Sequence, residues 1–135
     1  MSGFGGKVPT NQNTNIAGNG WPDLSTADFR KVRRIPHVFD ESSVAMAIEI
    51  AADNVQGQLA GVDQSLTGAK LALYQRAVYA LAHADLLPEF ATQNRRDEAE
   101  NTAEDAGEQG DRFRAQSTRD IAQIKGESPN GIELL

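Results

Sequence analysis

From Val44 to Leu59 the apolar residues return every three or four positions, at Val44, Ile48, Ala51, Ala52, Val55 and Leu59. At about 100° per residue these six fall within about 120° of one another, which predicts a helix over 40–60 with one core-facing stripe. Asp40 is its expected N-cap, and Phe39 is placed to close onto Val44 as a hydrophobic staple. Met46 and Ile50 lie off the stripe, an i,i+4 step apart on the far side of the cylinder. They are either stray surface residues or part of a contact with another subunit.

A second pattern runs from Leu71 to Leu87, where the strongly polar side chains are confined to Gln75, Arg76, His83 and Asp85. Apolar residues cover well over half of such a cylinder, leaving a narrow stripe of Gln75, Arg76, Tyr79 and His83. A helix over 67–87 is therefore expected to be buried on most sides, which raises the prospect that a second copy supplies part of the cover. Ser65 or Thr67 can cap its start, and Pro88 marks its end or a kink near it.

Two further helices flank these. Ser25 as cap, Asp28 as the capping-box acid and a Leu24–Phe29 staple predict a short helix over 25–35, stopped by Pro36. From 94 to 125 a thin seam of Ala99, Ala103, Ala106, Gly110, Phe113, Ser117, Ile121 and Ile124 steps by threes and fours. Acids lie in its first half and Arg112, Arg114, Arg119 and Lys125 in its second, an order that suits the helix dipole. Gly107 and Gly110 are places for a break.

The expectation is an all-α domain of about four helices whose core includes Val44, Ile48, Val55, Leu59, Tyr74, Val78, Leu81 and Phe113. Residues 1–21, rich in Gly and Asn, read as an extended, mobile or partner-ordered arm, too polar to bury. Residues 22–126 form the helical domain, and 127–135 a docking tail. In that tail Ser128 to Gly131 make a turn, and Ile132 and Leu134 either fold back or bind a neighbour.

Composition narrows the function classes. There is no cysteine, which removes disulfide scaffolds, thiolate metal sites and thiol catalysis and suits an intracellular life. No apolar leader and no run of about 18 apolar residues is present, so neither a signal peptide nor a membrane span is expected. The formal charge of −6 argues against tight nonspecific binding to a phosphate backbone.

That charge is unevenly placed. Arg30, Lys31, Arg33 and Arg34 form a basic knot; Asp97, Glu98, Glu100, Glu104, Asp105, Glu108 and Asp111 form an acidic run. Each reads as a solvated face or as an interface.

No catalytic constellation emerges. His37 and His83 lack a second His or a Glu at metal-ligand spacing. Gly5-Gly6-Lys7 has Val8 where a phosphate loop needs Ser or Thr. The acidic run fails the calcium-loop pattern, with Ala99 and Asn101 at alternate places. A helix-turn-helix reading fails because the second helix carries Glu41, Glu49 and Asp53 and no Lys or Arg. No enzyme activity, metal or cofactor is expected.

At Leu73-Tyr74-Gln75-Arg76-Ala77-Val78, followed by Ala80, Ala82, Ala84 and Leu86-Leu87, the chain resembles the L-type head completion proteins of contractile-tailed temperate phages. The order of elements agrees: an Arg-rich short helix, an Ala-rich helix, the Tyr-x-Arg-Ala-Val helix, an acidic-to-basic helix with Arg119-Asp120 near its end, and an Ile-containing tail. The likeness covers about Trp21 to Leu135.

The resemblance implies a head-tail connector at the virion neck, assembled in the host cytoplasm. Its implied partners are the portal protein after DNA packaging, further copies of itself in a ring of about twelve, and a tail-side connector or tail terminator. DNA would pass through the ring without sequence-specific binding. Arg30, Arg33, Arg34, Met46, Ile50, Ile132 and Leu134 then become candidate subunit or portal contacts, and the acidic run a channel or interface face. The competing reading is a small acidic helical adaptor that binds one cellular protein.

Overall fold

A computed structural model describes residues 12–94 and 101–126, with side chains for 12–90 and 107–126. The described elements are a two-residue strand pair, β1 (Asn15–Ile16) and β2 (Leu24–Ser25), then α1 (Thr26–Arg33), α2 (Glu41–Gln58), α3 (Gly68–Asn94) and α4 (Asn101–Lys125). The fold is mainly α-helical, as the periodicities predict.

Each helix starts and stops for a local reason. The Ser25 hydroxyl accepts from the Asp28 N–H at 3.1 Å. The capping box is only half made, because the Asp28 carboxylate takes the Tyr79 hydroxyl at 2.9 Å. α1 ends two residues before the expected Ile35. Arg34 turns left-handed at φ 57°, and the N–H groups of Arg34 and Ile35 both donate to the Arg30 carbonyl, closing the helix before Pro36 is reached. Asp40 caps α2 through the Ser43 N–H at 3.0 Å.

α2 buries the whole stripe that its sequence announces: Val44, Ile48, Ala51, Ala52, Val55 and Leu59. α3 is buried on most sides, and one chain suffices to cover it. Tyr74, Ala77, Val78, Tyr79, Ala80, Ala82 and Ala84 are all enclosed, so no second copy is needed there.

α4 lies antiparallel on α3, as the Arg76–Asp120 and Asp85–Arg114 pairs show. It continues as helix through Gly107 and Gly110. Ser117, Ile121 and Ile124 are buried, whereas Leu81 and Phe113 pack against the core from a half-buried position.

Two further expectations need correction. α3 does not end at Pro88 but continues to Asn94. Beyond the proline, the Phe90 ring lies 3.8 Å from that of Phe39, and this packing offsets the lost helical hydrogen bond.

The other correction concerns the expectation that the first 21 residues are too polar to bury, which fails within the described part of that segment, from Gln12 onward. Ile16 is buried beside Leu24, and Trp21 stacks on Tyr74 with ring centroids 5.8 Å apart. A tight loop makes this possible: Trp21 N–H donates to Gly18 O at 3.1 Å, and a Cβ on Gly18 would sit 1.9 Å from the Trp21 carbonyl oxygen. Only glycine fits there. The expectations for residues 1–11 and for the tail, including Ile132 and Leu134, lie outside the described residues.

Candidate assembly surface

The basic knot is divided by the fold into members with different roles. Arg30 is 4% exposed. Its guanidinium donates to Pro36 O at 2.9 Å, Phe39 O at 2.8 Å and Glu41 Oε1 at 3.3 Å, and its Nε is buried without a partner.

On the other carboxylate oxygen of Glu41, the hydroxyls of Thr14 and Thr26 donate at 2.7 and 2.6 Å. Burial pushes the Glu41 carboxyl up, but the Thr26, Thr14 and Arg30 hydrogen bonds and the Arg30 charge outweigh it and hold the pKa below the usual carboxylate range. Arg30 is thus an internal fastener of the α1–α2 corner and not an interface residue, since a guanidinium enclosed by its own chain presents no charge to a partner.

Arg33 is half-buried. Its Nε donates to His83 Nδ1 at 3.1 Å, and its guanidinium carbon lies 4.6 Å from the Phe113 ring centre. Burial, then the charge of Arg76, lowers its pKa. Burial and then the Arg33 charge press His83 down to about 4, so His83 is a neutral imidazole among the rings of Phe29, Phe90 and Phe113. It packs among these rings and accepts the Arg33 hydrogen bond.

Lys31 and Arg34 remain exposed, and so does His37. Glu108 and Asp111 are exposed, with Asp111 3.6 Å from Arg114. The expectations for Asp97, Glu98, Glu100, Glu104 and Asp105 fall outside the described side chains.

Met46 and Ile50 are 59% and 57% exposed on the outer face of α2. Glu49 and Asp53 stand beside them. These two acids line a cleft of about 270 Å³ together with Asn19 and Gln56. Sequence reasoning missed a second exposed apolar pair, Val32 at 55% and Val38 at 76%, at the end of α1 and in the turn after it. The signal was present in Val38, an apolar residue in a short connector after Pro36-His37.

The Tyr-x-Arg run of α3 and the Arg-Asp step of α4 meet in space. Arg76 Nε and Nη2 donate to the two Asp120 oxygens at 2.9 and 2.8 Å, a bidentate pair in which Asp120 is buried and Arg76 half-exposed. The hydrogen bond to Asp120 and then its charge raise the Arg76 pKa, against the pull of burial. Tyr74, two residues earlier, faces the other way, its hydroxyl accepting from Gln56 at 3.0 Å. Burial raises its pKa more than that hydrogen bond lowers it.

Residues 64–135, more than half of the chain and the part that carries this α3–α4 pairing, match the family model of the phage head completion protein (GPL). The chain belongs to that family. It is also 29% identical over 151 aligned positions to a protein of Haemophilus phage HP1 (strain HP1c1) named "Probable head completion/stabilization protein", covering 98% of this chain and 99% of the relative. No solved structure matches significantly. Family membership gives the chain a part in phage head assembly and a place with the virion.

Proposed function

We propose that the chain is a non-enzymatic connector subunit that binds the portal vertex after DNA packaging, closes into a homo-oligomeric ring and presents a surface for tail attachment. One observation carries this reading beyond family membership: Met46 and Ile50 stand exposed on the face of α2 opposite a fully buried stripe. A monomer gains nothing from two large apolar side chains there. Covering the part of each that is still exposed would stabilise by about 1–2 kcal/mol. The net charge of −6 supports a ring through which DNA slides without sticking.

Native mass spectrometry and negative-stain imaging, with and without portal rings, test the reading. A many-membered ring that binds the portal is expected. A monomer or dimer under both conditions would overturn it in favour of the adaptor. Met46→Asp with Ile50→Asp should leave helicity intact and abolish assembly; intact assembly would show that the pair is merely exposed.

A further inference from the structure

The four large hydrophobic side chains exposed among the described residues fall into two pairs of opposite electrostatic setting. Met46 and Ile50 share the outer face of α2 with Glu49 and Asp53, whereas Val32 at the end of α1 and Val38 in the turn after it flank the exposed Lys31 and Arg34 in the chain. All four charged side chains are exposed, and none is ion-paired among the described residues.

We propose that the end of α1 in one copy docks on the outer face of α2 in the next. Val32 and Val38 cover Met46 and Ile50, and Lys31 and Arg34 meet Glu49 and Asp53. This rests on the ring reading and names the two faces that meet.

Three physical arguments select this pairing. First, like charges exclude the symmetric alternatives: α2 against α2 sets Glu49 and Asp53 against the same acids, and α1 against α1 sets Lys31 and Arg34 against themselves. Two different complementary patches on one chain pair either reciprocally in a two-fold dimer or head to tail; the ring reading selects the head-to-tail contact, which closes when the rotation allows.

Second, the acids line a cleft of about 270 Å³ between α2 and the Ile16–Asn19 segment, large enough to receive a long basic side chain with its aliphatic stem. Third, the α1 end is rigid before it binds. The Arg30 carbonyl holds the N–H groups of Arg34 and Ile35, and the Arg30 guanidinium holds the carbonyls of Pro36 and Phe39. The turn that carries Val38 is therefore pinned from both sides, which reduces the ordering cost of docking. The buried arginine acts on assembly through the turn that it fixes.

Charge reversal in two halves tests the pairing on the full chain. Glu49→Lys with Asp53→Lys, and separately Lys31→Glu with Arg34→Glu, should each keep the wild-type circular dichroism spectrum and weaken self-association at least tenfold. Mixing the two variants should restore assembly at a one-to-one ratio, because each remaining patch then finds its complement.

The natural absence of cysteine permits a direct check. Val38→Cys mixed with Ile50→Cys should form a disulfide-linked pair on mild oxidation that neither yields alone. A cross-link of Ile50→Cys with itself, or no rescue on mixing, would overturn the pairing. Rings in which both charge variants still assemble would overturn it while leaving the ring reading intact. A wild-type chain that stays monomeric with portal rings present would overturn both.

Discussion

Arg30 at the α1–α2 corner and Arg76 on the α3–α4 hairpin each reach one carboxylate, but with burial reversed. At the corner the cation is enclosed and is satisfied by two carbonyls as well as Glu41. On the hairpin the anion Asp120 is enclosed while Arg76 keeps half of its surface in water. The comparison shows that such a pair is governed by which member is stranded when the other is removed, more than by its distance. At the corner a deletion leaves two carbonyls and one Glu41 oxygen without their donor, while the other oxygen keeps the Thr14 and Thr26 hydroxyls. On the hairpin it strands one carboxylate next to solvent.

The strongest test is Arg30→Ala, expected to cost about 3–5 kcal/mol in chemical denaturation. Arg30→Lys should recover only part of that, since an ammonium cannot reproduce the planar fork. A loss under about 1 kcal/mol would mean that water enters and rebuilds the corner.

Next is Arg76→Ala, expected to cost about 1.5–3 kcal/mol, less than the corner because solvent screens the half-exposed pair. Adding Asp120→Asn to it should return stability, because the stranded charge is gone. A double variant less stable than Arg76→Ala alone would break the comparison.

Acid titration separates the regions further. The His83 pKa of about 4 lies below the free value of about 6.5, so the unfolded chain takes the proton first. The associated stability is complete above about 6.5 and is lost as pH falls toward about 4. Glu41, held below its usual range, extends the loss to lower pH with the same sign. His83→Gln should flatten the upper part of the profile, read as the denaturation midpoint against pH, and leave the lower part.

The smallest effect is expected at Arg34. Its φ of 57° favours glycine, and Arg34→Gly should stabilise by about 0.5–1 kcal/mol. It thereby marks the third arginine of the run as one whose side chain contributes nothing to its own fold.

The helices were largely legible. Ser25 and Asp40 announced their caps, and the spacing of Val44, Ile48, Val55 and Leu59 announced the buried face of α2, because capping and amphipathicity are local properties of neighbouring residues. The exposure of Met46 and Ile50 followed from the same arithmetic. The acidic Glu49 and Asp53 beside them were visible as residues but not as the lining of a cleft, whose other wall comes from the Ile16–Asn19 segment.

What the sequence by itself determined was the all-α class, the main core stripe and the likeness to head completion proteins. Only the tertiary structure decided the fate of individual polar residues. Arg30, Lys31, Arg33 and Arg34 look alike as a string, yet one is enclosed, one is half-buried against Phe113 and two face water. Composition likewise averaged away Ile16 and Trp21, which a glycine turn carries into the core. The physical reason is common to both. Burial and pairing of a side chain depend on residues tens of positions away, as Arg76 depends on Asp120, and no local window contains both partners.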